Sequence, residues 1–465
     1  MTLSNAGLAT PYAVVEAALA SSRTTGCIVL VEDKSEAEVR FANNSATTNG
    51  VRRSQRVTVV SLAEVPGGVA AGVAARTGAI DVEDLVRTAE TAAAAAPPAR
   101  DASPLLAGAT TPDFDAPAPQ TDLSILDGVL AQLSGAFERA ERADTTLAGF
   151  ASHSLGTTYL GTSTGIRRRH VQPTGSFKMV GRSAGGARSA WVGVGTSDFH
   201  DVTVEAVEEE LSRRLAWARC TVDLPAGRYE VVLPPSAVAD LMTFLFRKTI
   251  GQDAEDGKTV FSKPGGGTRV GERLCSLPLD LRSDPAERTL ECAPFLAVAA
   301  SSAQASVFDN GMKLERTEWV TDGRLTHLQY PRAGARRTGV DFAGPIDNLV
   351  LELPGATGSV SDLVARTERG LLLTCLWYIR EVDPATLLLT GLTRDGVYLI
   401  EDGKVIGAAN NFRFNESPVD LLARATQAGA TVRTLGRELG DYLNRTAMPP
   451  LRIRDFNMSS VSAAS

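Results

Sequence analysis

Cysteine, histidine and long apolar runs are scarce in this chain, and each shortage closes off a class of protein. The five cysteines (Cys27, Cys220, Cys275, Cys292, Cys375) are odd in number, widely scattered and never in a C-x-x-C pair. Disulfide frameworks and zinc ribbons are therefore unsupported, and reduced thiols in the cytoplasm are expected. The four histidines (His153, His170, His200, His327) lack the spacing that would hold a zinc ion with one position open for water. No stretch of about 18 apolar residues exists, so no membrane-spanning helix is expected. The balance of 47 basic against 54 acidic residues gives −7, which argues against a protein that neutralises phosphate backbones. Lysine is scarce beside arginine, a bias without functional content. Gly and Pro are near average usage, so neither a collagen repeat nor wholesale disorder is indicated.

What is present is enough chain for two or three domains: 465 residues, 43% of them hydrophobic. Met1 to Ser22 has no basic lead-in and reads as a first helix over Thr10–Ala20, not a signal peptide. Cys27–Glu32, Glu38–Ala42 and Arg56–Leu62 have the β-branched content of short strands, with Asn43, Asn44, Asn49 and Gly50 supplying the turn between the last two. Asp81 caps a helix that runs to Ala95. Residues 91–120, rich in Ala and Pro, read as a surface connector. An amphipathic helix is expected over Leu123–Ala148, hairpins over Gly149–His200 and a charged helix over Val202–Ala218.

The second half opens on a strand (Arg228–Leu233) and a helix (Ser236–Ile250). Short strands follow at Leu314–Val320, Leu325–Tyr330, Asn348–Leu353, Leu371–Arg380, Val397–Ile400 and Lys404–Ala409, with helices at Ser361–Glu368 and Val419–Leu443. The class is α+β: an α/β N-terminal domain over residues 1–225 and a β-rich C-terminal domain over 226–465.

Several motifs have bland readings that outweigh the chemical ones. Gly161-Thr162-Ser163-Thr164-Gly165 has the G-x-S-x-G form of a nucleophile elbow, but a strand-like run follows where a helix is required. Gly265-Gly266-Gly267 lacks the strand–loop–helix context of a phosphate cradle. Arg167-Arg168-Arg169, without interleaved aromatics, reads as a solvated face or an interface edge. The run Thr390 to Lys404, with Asn410 and Asn411 close behind, pairs turn signals with strand-like pieces. Amide and guanidinium groups at strand ends suit the binding of an extended peptide, which makes Arg394, Asp395, Asn410 and Asn411 the candidate substrate-binding residues.

Glu381-Val382-Asp383-Pro384-Ala385-Thr386, followed by Asp395-Gly396-Val397-Tyr398-Leu399-Ile400-Glu401-Asp402-Gly403-Lys404, resembles the C-terminal signature of the TldD/PmbA family. Val39 to Asn44 and His153 to Tyr159 are similar to its earlier segments. The resemblance implies a pair of related subunits acting as a zinc metalloprotease on peptides or unfolded small proteins. One subunit, of the TldD type, carries H-E-x-x-x-H on a helix and a Cys near its C-terminus. Matched without gaps, this chain has Thr243, Phe244 and Lys248 at those helix positions, and no Cys beyond Cys375. The resemblance is therefore to the TldE (PmbA) subunit. It implies a chain without catalytic residues or a metal of its own, shaping the peptide cavity while zinc resides in the partner. A stand-alone amide hydrolase acting through Ser163 or a Cys, and a homo-oligomeric peptide-binding protein, are the alternatives.

Overall fold

The computed structural model describes residues 9–462, the side chain of Ala184 excepted. The reading of Met1 to Ser22 thus falls partly outside the described residues, and its helix is found as α1 (Pro11–Ser21). The N-terminal half is built on long strands: β1 (Gly26–Ala42), β2 (Ser45–Val65), β3 (Gly68–Thr77), then helix α2 (Val82–Ala95), helix α3 (Asp127–Arg142), β4 (Thr145–Thr162), β5 (Arg167–Ser183), β6 (Arg188–Thr196) and helix α4 (Val204–Trp217). The strands form one antiparallel sheet in the order β3-β2-β1-β4-β5-β6.

Short strands are the expectation here, because the polar stretch Asp33–Glu38 interrupts the β-branched run in sequence. In the fold that stretch is paired on both sides, to β2 and β4, and Ala37, Val39 and Phe41 alternate toward a core. The turn is Asn43-Asn44, both at positive φ (52° and 56°), the backbone a two-residue hairpin needs. Asn49 and Gly50 lie inside β2 instead.

The apolar run at the start of β1 is explained by burial on both faces. Val29 and Val31 pack with Val14, Val15, Leu85 and Val86 of α1 and α2. Ile28 and Leu30 pack the other way, with Phe295, Val307 and Phe308 of the C-terminal half. Farther along the sheet, Phe41, Phe177 and Met179 are covered by α3 and α4. Asp81 caps α2 by accepting from the Asp84 N–H (3.1 Å). The helix expected over Leu123–Ala148 is shorter: it begins as a 3₁₀ turn, Leu123–Leu126, and ends at Arg142, where Asp144 (φ 50°) turns the chain into β4.

Arg167, Arg168 and Arg169 are neither a solvated face nor a nucleic-acid patch. Arg167 pairs with Glu16, Arg168 donates to the Ala109 carbonyl (2.6 Å), and Arg169 binds Asp113 (2.9 Å) and the Pro117 carbonyl (2.9 Å). The last two strap the Ala/Pro-rich connector to the sheet.

The C-terminal half contains two sheets with a helix buried between them. Its elements are β7 (Thr221–Val222), β8 (Gly227–Leu233), α5 (Pro235–Phe246), α6 (Gly251–Glu255), β9 (Asp280–Ser283), β10 (Thr317–Thr321), β11 (Arg324–Leu325), α7 (Arg332–Thr338), β12 (Leu349–Glu352), α8 (Val360–Ala365), β13 (Arg369–Leu373), β14 (Leu376–Asp383), β15 (Leu388–Thr393), β16 (Val397–Glu401), β17 (Lys404–Ala409), β18 (Phe412–Glu416), α9 (Pro418–Arg424), β19 (Ala425–Ala428), β20 (Val432–Thr434), β21 (Thr446–Met448) and β22 (Leu451–Val461). One sheet runs β11-β10-β9-β12-β21-β20. The other runs β14-β15-β18-β22-β8-β13-β16-β17-β7, with β19 also paired to β22.

Ten consecutive residues of α5, Ala237 to Phe246, are buried. A helix buried on every face belongs inside; only Asp240 and Thr243 of these ten are polar, and the apolar rest share one cluster with Leu281, Trp319 and Leu351 of the first sheet and Leu371, Leu399 and Phe414 of the second. The mixed helix and strand class with a β-rich C-terminal half is what the sequence led one to expect. The largest differences lie in four elements. The strand expected over Leu325–Tyr330 ends at Leu325, since the chain then turns away to bridge Thr249 and Ala343 only at Gln329 and Tyr330. Leu371–Arg380 is two strands, broken at Thr374-Cys375. The helix expected over Ser236–Ile250 stops at Phe246. Val419–Leu443 is helical only to Arg424, after which Ala425–Ala428 joins β22 and Gly429, Gly436 and Gly440 carry irregular chain.

Candidate functional site

The helix positions to which the resemblance assigns two zinc ligands (Thr243, Lys248) and a general base (Phe244) do not form a metal site. Thr243 is buried and its hydroxyl donates to the Ala239 carbonyl (2.8 Å) within α5. Phe244, also buried, lies under the Arg247 guanidinium. Lys248 falls beyond the end of the helix and is paired with Glu381 of β14 (2.6 Å). A committed hydroxyl, a phenyl ring and a paired ammonium cannot ligate zinc. Among the described residues no three His, Cys, Asp or Glu side chains converge as a ligand set.

Three of the four histidines are committed elsewhere. His153 is buried, with Nδ1 2.7 Å from the Thr121 hydroxyl and Nε2 2.9 Å from the Ser197 carbonyl, and desolvation holds its pKa below the usual range. His170 bonds Gln172 (3.0 Å) and packs edge-on against Phe295. His327 reaches the Glu318 carbonyl. Ser163 sits in the β4–β5 hairpin, where its Oγ accepts from the Cys27 N–H (3.1 Å). Without a following helix it is not a nucleophile elbow. Gly265, Gly266 and Gly267 all have positive φ and form a turn closed by the Lys263 N–H on the Gly267 carbonyl.

A cleft of about 380 Å³ opens beside the end of α5, with Thr158 of β4 contributed by the N-terminal half. Its walls include Phe246, Leu314, Ile346 and Leu443, with Asp347 and Gln304 as polar members. The extended segment 293–298 runs along it. On one side this segment is paired: the Leu296 N–H donates to the Met312 carbonyl (2.8 Å), and the Leu314 N–H donates to the Pro294 carbonyl (2.9 Å). That places Phe295 opposite Lys313 as a non-hydrogen-bonded pair. The peptide groups of Phe295 and Ala297 point away from 312–314 and have no partner among the described residues. An unpaired strand edge in an apolar cleft is chemically equipped to receive an extended peptide.

The opposite wall carries Tyr442 and Leu443, from the loop between β20 and β21. Asp240, on α5 and 1% exposed, organises this loop. Its Oδ1 accepts from the N–H groups of Glu438 (3.0 Å) and Leu439 (2.9 Å), and its Oδ2 from that of Arg437 (3.0 Å). Burial pushes the Asp240 carboxyl up to about 7, against the pull of those three N–H groups. Arg437 then reaches inward between Trp377 (4.5 Å to the ring centre) and Trp191 (5.5 Å), pairing with Asp395 (2.6 Å) and donating to the Cys375 sulfur (2.8 Å). Burial raises the Cys375 thiol to about 12, so it stays a neutral thiol.

Of the four candidate substrate-binding residues, three line a second pocket of about 330 Å³: Asp395, Asn410 and Asn411. Arg394 is half-buried at the end of β15. Asp395 holds a positive φ (55°) at the crossover from β15 to β16, where its carboxylate also accepts from the Ser189 hydroxyl. Asn410 Oδ1 accepts from the Leu224 N–H (2.6 Å), while its Nδ2 is buried without a partner. These strands do not form one hairpin: β15 pairs with β14 and β18, and β16 with β13 and β17. The 293–298 edge and the Asp240 cap escaped sequence reading. Their one visible signal is Gly436-Arg437-Glu438-Leu439-Gly440, a pair of glycines inside an otherwise helix-like stretch.

Comparison with known proteins agrees with this architecture. The chain superposes on the TldE crystal structure from Thermococcus kodakarensis with a TM-score of 0.77 at 15% identity, covering 96% of this chain and 98% of that one. A protein described as a candidate modulator of a DNA gyrase from Thermotoga maritima gives 0.74 at 14% identity, covering 93% and 95%. A similarly described protein from Bacteroides thetaiotaomicron gives 0.70 at 15%, covering 97% and 98%. At such identities these likenesses establish the fold alone. No curated protein sequence matches the chain. The family model for the PmbA/TldA metallopeptidase C-terminal domain matches residues 226–460, half of the chain, and on that match the protein belongs to the PmbA/TldD metallopeptidase family.

Proposed function

We propose that this chain is the metal-free, TldE-like member of a two-subunit zinc peptidase, binding peptide while a TldD-like partner supplies zinc, general base and activated water. The observation that carries this reading is the last turn of α5, where Thr243 and Phe244 are buried and Lys248 is paired outside the helix. The cleft beside that turn supports it. A peptide laid along 293–298 would bond to the free N–H and C=O groups of Phe295 and Ala297. Alternate side chains would enter the apolar walls. Arg394, Asp395, Asn410 and Asn411 are the proposed second contact, at the smaller pocket. A cytoplasmic location fits the free thiols of the five cysteines.

The test uses a fluorescein-labelled octapeptide of alternating Leu and Thr, the purified full chain and a zinc-bearing family member. The lone chain is expected to bind the peptide, measured by anisotropy, and to leave it intact. The mixture is expected to cleave it and to elute as one species with zinc. Leu296→Asp should weaken binding by about tenfold or more, since a carboxylate in the apolar wall lacks a partner. Cleavage by the lone chain, or failure of the mixture to associate, would sink the proposal.

A further inference from the structure

One buried carboxylate connects the helix at the base of the cleft to the loop that forms its far wall. The 436–440 turn is shaped around Asp240. A Cβ on Gly436 would lie 2.5 Å from Asp240 Oδ1, and one on Gly440 would lie 2.2 Å from the Gly436 carbonyl oxygen. Both positions therefore exclude larger residues by contact, and the Arg437, Glu438 and Leu439 N–H groups converge on one anion. The turn's continuation is held by the N-terminal domain: Asp441 pairs with Lys178 (2.5 Å), Asn444 donates to the Gly175 carbonyl (3.3 Å) and Arg445 donates to Thr174. Between these anchors lie Tyr442 and Leu443. Arg445 also pairs with Asp347 (2.6 Å), another wall residue of the cleft.

We propose that Asp240 is a positioning residue for peptide binding: its carboxylate clasps the 436–440 turn and so holds Tyr442 and Leu443 against the cleft. The ionised form accepts three N–H groups. Protonated, one oxygen becomes a donor facing donors, and the clasp loses a bond. The charged and titratable groups that act with it are Glu438 from the loop, which opposes its ionisation, and Cys375 from the β13–β14 junction; the Arg437 guanidinium and Asp395 are paired with each other beside Cys375. Losing the three N–H groups while the carboxyl stays buried raises its pKa further, so acid favours the loosened loop without melting the fold. The folded-state carboxyl holds its proton to higher pH than the unfolded chain. Its contribution to global stability is therefore fully present in acid and is lost as pH rises through about 7. Local loosening and global stability move in opposite directions, which separates a clasp from simple unfolding.

The inference rests on the peptide-binding reading above, and its test separates the two. The same labelled octapeptide is titrated into the full chain from pH 8 to pH 5, with hydrogen exchange of the 435–445 segment, corrected for intrinsic rates, followed in parallel. Wild type should lose affinity by up to about tenfold per unit below the midpoint, while exchange at 437–439 rises in step. Asp240→Asn should bind weakly with no pH response in either readout. Gly436→Ala, which crowds the carboxylate without removing it, should weaken binding and shift the midpoint. If no form binds peptide, the peptide reading falls. Equal affinity and equal exchange in wild type and D240N, both folded by near-ultraviolet circular dichroism, would overturn the clasp. A pH response that persists in D240N and G436A would also overturn it.

Discussion

Asp309→Ala is expected to lower the unfolding free energy by about 3–5 kcal/mol, the usual cost of stranding one member of a buried ion pair. Asp309 is fully buried, and its carboxylate accepts from the Arg332 Nε (2.6 Å) and from the Arg332 backbone N–H (2.9 Å). With its partner gone, Arg332, whose side chain is 17% exposed, keeps its charge in a largely dry site. The same guanidinium bonds the Phe308 carbonyl (2.6 Å) and the Pro104 carbonyl (3.0 Å), so it joins the β-rich half to the connector. Loss of Asp309 should therefore show twice: as a lower denaturant midpoint and as faster proteolysis between residues 99 and 120. Asp309→Asn, which keeps an acceptor oxygen, should cost less than half as much. An alanine variant with an unchanged midpoint would show that water satisfies Arg332 and that the pair is dispensable.

Gly72→Ala should be the most damaging single-methyl change in the N-terminal half, at about 3 kcal/mol, the upper end of overpacking penalties. A Cβ at Gly72 would stand 2.0 Å from the Ala93 nitrogen, 2.4 Å from the Ala89 oxygen and 2.6 Å from the Ala92 carbonyl carbon. All three are backbone atoms of α2, so no side chain can swing aside, and the helix must lift from the sheet. The lift would uncover Leu85, Val86 and Ala89, which pack with Val57 and Val59 of β2. Hydrogen exchange should rise throughout α2 while the C-terminal sheets keep wild-type protection. Uniform exchange across both halves would show that the strain spreads instead of staying local.

The parts of the fold that the sequence disclosed were those set by neighbours within a few residues. Asp81 before Val82 and Leu85 marks a helix start because its side chain caps a donor three residues on. Asn43-Asn44 marks a hairpin because both residues tolerate positive φ. Strand length was hidden: Asp33 to Glu38 looks like an interruption until the pairing of β1 with both β2 and β4 is known. The helix expected over Val419–Leu443 failed for a related reason. Ala425–Ala428 has ordinary helix formers, but β22 offers a ladder that local propensity cannot anticipate.

By itself the sequence determined the family signature, the shortage of metal-ligating side chains and the apolar helix before the midpoint of the C-terminal half. Those are properties of residue identity and of periodicity along the chain. Only the tertiary structure decided where a peptide could lie and what fixes the walls around it. The edge at 293–298 exists because its other side is already paired with 310–314. Asp240 meets the amides of 437–439 across nearly two hundred residues of chain. Contacts of that separation depend on how sheets and loops close upon one another in space, and residue order alone carries no record of it.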